Sequence, residues 1–226
     1  MLIIGHRGAP SLAPENTIQS FEIALDNNVD GIELDVQLTK DKQLVVMHDL
    51  HTYKINGKYD LIDNYTLQEL QTMNSQITNL EHVLKIVPPD IELHVEIKSN
   101  KLNNKIIIAK IYNLIIKYKL QKKIIISSFN PFVLSTFKRF NNAIRLGMLW
   151  TRCPNEPWFI THYSYYKIKP ESLHASIEYI TAEMVEWAKN KNMKIYYYTV
   201  NSLSSLQKAK SLHADGIFSD YPNLLK

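Results

Sequence analysis

Residues 91–98 read Ile91-Glu92-Leu93-His94-Val95-Glu96-Ile97-Lys98. Apolar and polar residues alternate with period two, as on a β-strand with one apolar and one polar face. Elsewhere the chain alternates strand-like and helix-like segments, the pattern of a parallel sheet, whose strands are usually apolar on both faces. Alternation inside such a sheet has a specific reading: the apolar set meets covering helices and the polar set lines the axis of a closed barrel. Residues 31–37, Gly31-Ile32-Glu33-Leu34-Asp35-Val36-Gln37, repeat the device. A polar barrel interior is costly unless its groups bond each other, water or an ion.

Working outward, strands are predicted at Leu2–Gly5, Gly31–Gln37, Leu44–Met47, Ile91–Ile97, Lys123–Ser127, Ile144–Leu149, Ser172–Ala175, Lys194–Thr199 and Gly216–Ser219. Helices are predicted at Glu15–Asn27, Thr66–Met73, Asn79–Ile86, Asn103–Tyr118, Pro131–Phe140, Thr181–Asn190 and Leu203–Ser211. Eight or nine strands in 226 residues favour an α/β chain folded as a (β/α)8 barrel of parallel strands over a doubly wound sheet. At 45% hydrophobic residues the chain can bury one core, and no Pro/Gly/Ser-rich linker divides it. One domain over residues 1–226 is expected, with a short insertion after the strand that ends at His48.

Four polar motifs follow or close apolar runs: His6-Arg7-Gly8, Glu33-Leu34-Asp35, His48-Asp49 and Glu96-Ile97-Lys98. In a barrel they gather on the rim at the carboxyl ends of the strands, where barrel enzymes place their chemistry. Glu33 and Asp35, two apart on a strand, share a face, and Glu96 joins them from a neighbouring strand. Three oxygen ligands suit Mg²⁺ or Ca²⁺ and not structural zinc. His6 and His48 form a candidate acid/base pair, and Arg7 and Lys98 supply fixed positive charge for a phosphoryl group. The mixture suits metal-assisted chemistry on a phosphate ester, not hydride transfer or attack by a serine nucleophile. Gly8 allows a sharp turn after Arg7.

The stretch from His6-Arg7-Gly8 through Pro14-Glu15-Asn16-Thr17, residues 30–41 and His48-Asp49 resembles the N-terminal signature of glycerophosphodiester phosphodiesterases. Leu80-Glu81-His82-Val83-Leu84, Glu96-Ile97-Lys98, Ser127-Ser128-Phe129-Asn130-Pro131, Thr199-Val200-Asn201 and residues 214–222 continue the likeness in family order. The resemblance implies a (β/α)8 barrel that hydrolyses a glycerophosphodiester to sn-glycerol 3-phosphate and an alcohol. It implies His6 and His48 as acid and base in either order, a divalent cation on Glu33, Asp35 and Glu96, and phosphate on Arg7 and Lys98. Tyr198 stands where members usually carry Trp, so it is expected on the substrate side. His174 falls where members often carry a His and is a further candidate for substrate binding. Two other readings share these residues: a lyase on the same barrel that releases a cyclic phosphate from lysophospholipid or sphingomyelin, and a non-catalytic phosphodiester-binding module. The latter fits less well, since every motif keeps its reactive groups.

The net charge is +4, and no Asp or Glu falls between Glu96 and Glu156. The lysines of that stretch, such as Lys105, Lys110 and Lys117, share no helical stripe, so a solvated surface is expected and not a nucleic-acid-binding face. Residues 150–166, rich in Trp and Tyr, are expected to be a loop packed over the barrel edge, with peripheral lipid contact as the alternative. The lone cysteine, Cys153, excludes an internal disulfide, and the N-terminus reads as a strand and not a leader, so a cytoplasmic enzyme without a transmembrane segment is expected.

Overall fold

The computed structural model describes residues 1–102, 104–151 and 158–223. Its strands are β1 (Leu2–Gly5), β2 (Gly31–Leu38), β3 (Leu44–Val46), β4 (Glu92–Ile97), β5 (Ile124–Ser128), β6 (Arg145–Trp150), β7 (Ser172–Ser176), β8 (Lys194–Tyr198) and β9 (Gly216–Ser219). Its helices are α1 (Ile18–Asp26), α2 (Tyr53–Asn56), α3 (Leu67–Met73), α4 (Leu80–Ile86), α5 (Lys105–Lys117), α6 (Pro131–Phe140), α7 (Trp158–Ile168), α8 (Ala182–Asn190) and α9 (Leu203–Ser211). Helix starts follow local chemistry: Thr17, Thr66, Asn79, Asn130, Thr181 and Ser202 each accept a hydrogen bond from a first-turn backbone N–H.

Eight strands pair in parallel in the order β1-β9-β8-β7-β6-β5-β4-β2, and β1 pairs with β2 to close the barrel. The apolar sets of β2 and β4, Ile32, Leu34, Val36, Leu93, Val95 and Ile97, are buried in one continuous core shared with the helices. Phe21, Val83, Ile111, Leu134 and Ala188 meet them from the helix side. The alternation read from residues 91–98 therefore has its expected meaning.

The strand that leads to His48 departs from expectation. β3 is not a barrel strand; it runs antiparallel to β2, with Val36 opposite Val46 and Leu38 opposite Leu44. The cause is the shortness of β1, which reaches only Ile32 of β2. The upper edge of β2 on that side has free backbone groups, and the chain folds back to pair with them. His48 is thus delivered by a hairpin arm that descends beside Asp35, where Met47 N donates to Asp35 O at 2.9 Å. The expected insertion follows His48 and contains α2 and α3.

Two further differences concern helices. α1 begins at Ile18 and not Glu15, because Asn16 takes a left-handed conformation (φ 59°) and turns its side chain toward Asp35. Residues 150–166 are not all loop, since α7 starts at Trp158; Cys153 and the side chains of Trp158 and Phe159 lie outside the described residues. Tyr165 packs edge-on against Trp187 at 5.4 Å, which fits packing over the barrel edge. No helix among the described residues is long and apolar enough to cross a membrane.

The barrel interior is layered. At the amino ends of the strands Arg145 bonds Glu92 and Glu171. Above them His94, His174, Tyr196 and Phe218 form a plug of rings with centroids 5.1–5.9 Å apart. Gly147 makes room for it, since a Cβ there would lie 2.6 Å from the His174 ring. The four motifs occupy the layer above.

Candidate active site

The rim is built from strand ends. β2 and β4 are in register with Glu33 opposite His94 and Asp35 opposite Glu96. Period two points Glu33, Asp35 and Glu96 into the barrel, with Glu33 beside His94 of the ring plug and Asp35 and Glu96 one step above it. Each offers an oxygen within 4.8 Å of the others, and all three are buried. Among the described residues they are the one set of carboxylates, imidazoles or thiols spaced to hold an ion.

The cationic groups interleave with them. Lys98 Nζ lies 2.6 Å from Glu96 Oε1 and 3.3 Å from Asp35 Oδ1. Arg7 Nε lies 3.3 Å from Asp35 Oδ2, and its Nη1 donates to Glu15 Oε2 at 2.7 Å. Arg7 is itself in the left-handed region (φ 53°), a conformation held by its backbone N–H donating to Glu33 Oε2 at 3.0 Å. Gly8 (φ 91°) completes the turn; a Cβ there would lie 2.4 Å from Ser20 Oγ, which binds the turn by accepting from Ala9 N and donating to Arg7 O.

Electrostatics separate the three carboxyls. Burial pushes Glu33 well above the usual carboxylate range, with Asp35 and Glu96 adding to it. Burial, then Asp35, raises Glu96 to about 7 against the pull of Lys98. Burial also opposes ionisation of Asp35, but Lys98 and Arg7 outweigh it and hold that carboxyl low. Asp35 Oδ1 is buried yet accepts no well-aligned hydrogen bond. Three oxygen donors, two of them shifted upward by burial and neighbouring carboxylates and one under-bonded, fit a hard divalent cation.

The histidines flank this cluster. His48 Nδ1 lies 2.7 Å from Asp49 Oδ1, and Lys54 bridges Asp49 at 3.2 Å and Glu15 at 3.0 Å. Burial, aided by Lys98 and Arg7, lowers the His48 imidazole below its ordinary value despite Asp35. The arm holding it is fastened by Gln37, whose Nε2 donates to the carbonyls of Met47, His48 and Asp49. His6 Nδ1 lies 2.6 Å from Asp220 Oδ1, with the strand-end backbone bond His6 N to Ser219 O at 2.9 Å. Tyr198 stands on the rim, its hydroxyl donating to Trp150 O at 2.8 Å. Its ring meets Phe129 edge-on at 6.3 Å, and Lys98 Nζ lies 5.7 Å from the Phe129 centroid.

The structure thus gathers His6, Arg7, Glu33, Asp35, His48, Glu96, Lys98 and Tyr198 around one mouth. His174 is not among them. It is 1% exposed in the ring plug one layer down, hydrogen-bonded to Ser172 Oγ at 3.0 Å. The expectation placed it with the substrate; on β7, period two puts Ser176 and not His174 at the level of Tyr198. Sequence reading assigned no role to Glu15, Asn16, Gln37, Asp49, Phe129, Asn201 or Asp220. Glu15 and Asn16 were read as helix; Asn16 in fact exchanges two hydrogen bonds with Asp35, at 2.9 and 3.2 Å.

Comparison with known proteins relates the chain to one family. The family model described as "Glycerophosphoryl diester phosphodiesterase family" matches residues 6–224. A glycerophosphodiester phosphodiesterase of Caldanaerobacter subterraneus subsp. tengcongensis is 31% identical over 236 residues, 99% of this chain and 96% of that protein. One from Bacillus altitudinis is also 31% identical, over 98% of this chain and 95% of that one. The crystal structure of a glycerophosphodiester phosphodiesterase from Thermotoga maritima superposes with a TM-score of 0.82 at 27% identity, covering 99% of this chain and 96% of that chain. An Oleispira antarctica phosphodiesterase, solved in complex with the product sn-glycerol-3-phosphate, shares the fold with a TM-score of 0.86 at 24% identity, covering 100% of this chain and 95% of that chain.

Proposed function

The chain belongs to the glycerophosphoryl diester phosphodiesterase family, and from that premise we propose that it is a divalent-cation-dependent hydrolase releasing sn-glycerol 3-phosphate and an alcohol from glycerophosphodiesters. The observation that carries the reading is the buried Glu33–Asp35–Glu96 cluster, with oxygens within 4.8 Å, set between two cations and two carboxylate-paired imidazoles. Glu33, Asp35 and Glu96 would hold Mg²⁺ or Ca²⁺; when bound, the ion supplies Lewis acidity toward a phosphoryl oxygen.

The other groups act on the diester directly. Arg7 and Lys98 bind the phosphoryl oxygens, Arg7 through its planar fork and Lys98 as a point charge. His6 and His48 form the proton-transfer pair: one takes the proton of the attacking oxygen, the other gives a proton to the leaving alkoxide. Their carboxylate partners Asp220 and Asp49 keep each ring's Nδ1 engaged and leave Nε2 for the reaction. Tyr198 and Phe129 wall one side of the mouth and face the organic part of the substrate.

The test is release of glycerol 3-phosphate from glycerophosphocholine, glycerophosphoethanolamine and glycerophosphoglycerol after EDTA treatment, with Mg²⁺ or Ca²⁺ then restored. Cation-restored release is the expected result. A cyclic phosphodiester as the final product in phosphorus NMR, or release indifferent to EDTA, would overturn the reading.

A further inference from the structure

We propose that Asp220 and Asn201 form a clamp that sets the tautomer and orientation of His6, and so are positioning residues for the hydrolysis. The inference rests on the hydrolase reading above.

A carboxylate only accepts hydrogen bonds. With Asp220 Oδ1 at 2.6 Å, His6 Nδ1 must carry the proton, and Nε2 is the nitrogen left to exchange one. The carboxylate is itself gripped. Its second oxygen accepts from Asn201 Nδ2 at 2.6 Å. Asn201 Oδ1 in return accepts from Asp220 N at 2.9 Å and from Ser219 Oγ at 3.3 Å. Ser219 Oγ accepts from Tyr221 N at 3.0 Å. The Asp220 carboxylate is thus held at Oδ2 and at its own backbone by Asn201, which leaves Oδ1 to accept from His6.

Stability does not account for this arrangement. The His6 and Asp220 side chains are part-buried, 18% and 27% exposed, and a pair open to water on one side contributes modestly to folding. Barrel closure is already secured between the strands: β1 pairs β9 over four residues, and Val200 N donates to Phe218 O at 2.9 Å. What the clamp adds is direction. The two imidazoles are also supported differently. His48 takes its carboxylate from the adjacent residue, and that carboxylate is shared with the Lys54 ammonium. The His6 partner comes from the far end of the chain and shares its second oxygen with a neutral amide. Asn201 is therefore suited to orient Asp220 without spending its charge.

The test pairs kinetics with proton NMR. In Asp220→Asn the new amide can donate to Nδ1 and favour the wrong tautomer. We expect kcat to fall by at least roughly 10²-fold, the scale of a lost proton-transfer partner, with KM within a few-fold of wild type. Asp220→Glu should recover part of that loss and Asn201→Ala should lower kcat by less. A downfield Nδ1–H signal should be present in the wild type, absent in His6→Ala, and lost in Asp220→Asn. Unchanged kcat in folded Asp220→Asn, or a loss confined to KM, would overturn the clamp. The two readings fail separately: a wild type inactive on every glycerophosphodiester sinks the hydrolase reading, while an active wild type with an indifferent Asp220→Asn sinks only this one. The NMR signal reads the His6–Asp220 bond without any substrate.

Discussion

Burial and neighbouring carboxylates raise Glu33 well above the usual carboxylate range and Glu96 to about 7, favouring their protonated forms at low pH, while Lys98 and Arg7 hold Asp35 low. A divalent cation must displace those protons to bind. The gain in Tm on adding Mg²⁺ or Ca²⁺ should therefore grow as pH rises from 5 to 7.5; a gain flat across that range would show that the two carboxyls are ionised without the ion. Lys98 is the second test at this scale. Its ammonium offsets Glu96 and Asp35, and on the proposed reading it binds the phosphoryl group, so Lys98→Met should lower kcat/KM by roughly 10²-fold, a loss of about 3 kcal/mol in transition-state stabilisation. Wild-type kcat/KM in that variant would remove Lys98 from the site. Glu33, Asp35, Glu96 and Lys98 were legible because alternation on two strands exposed their polar set, and His6, Arg7 and His48 because they follow apolar runs. Asp220 and Asn201 lay in quoted motifs but without a role, because Asp220 acts through a partner 214 positions away and Asn201 acts through Asp220, and such pairings leave no local periodicity.

The arm β3 shows what an element contributes. An apolar run such as Leu44–Met47 predicts a strand but not its direction, and only the short reach of β1 explains why this one turns back. The arm is held on its far side by a bridge from Val45 to Asn79 and by Val46 N donating to Thr78 O, while its tip is held by Gln37, which caps three carbonyls around His48. Gln37→Leu would leave those carbonyls without their donor at a cost of about 1–3 kcal/mol. The expected result is a Tm lower by a few degrees, faster amide exchange at residues 47–49, and a reduced kcat. Unchanged exchange would mean that the arm holds itself. The start of α1 was misread for a related reason: Pro14 signals a helix, but the demand of Asp35 for Asn16 delays it to Ile18.

At the scale of the molecule the barrel is a stack: an ionic base, a plug of rings, and a polar rim. Strand count and helix alternation sufficed to predict the closure, but not which histidines reach the rim, since a histidine on the polar face of a strand can sit at any layer. Burial first, then the facing imidazole of His94, holds His174 well below its ordinary value. Its folded-state pKa is depressed, so it contributes stability above the unfolded value of about 6.5 that is lost as pH falls. His174→Phe should keep kcat/KM within a few-fold and make the acid-side decline of Tm shallower between pH 7 and 5. A large loss of kcat/KM with unchanged Tm would return His174 to the site.

The bond between His6 and Asp220 joins the opening strand of the barrel to the end of the closing one. At roughly 5–20 residues per second, a ribosome needs about 10–40 s to travel from one to the other. Once Glu96 has been made, the nascent chain carries His6, Arg7 and the three carboxylates, but it has no clamp for its first imidazole until Asp220 follows. The same holds for any truncation that stops short of residue 220, however well its remaining strands pair. Competence to cleave esters is thus a late event in synthesis, withheld until the last strand has been made.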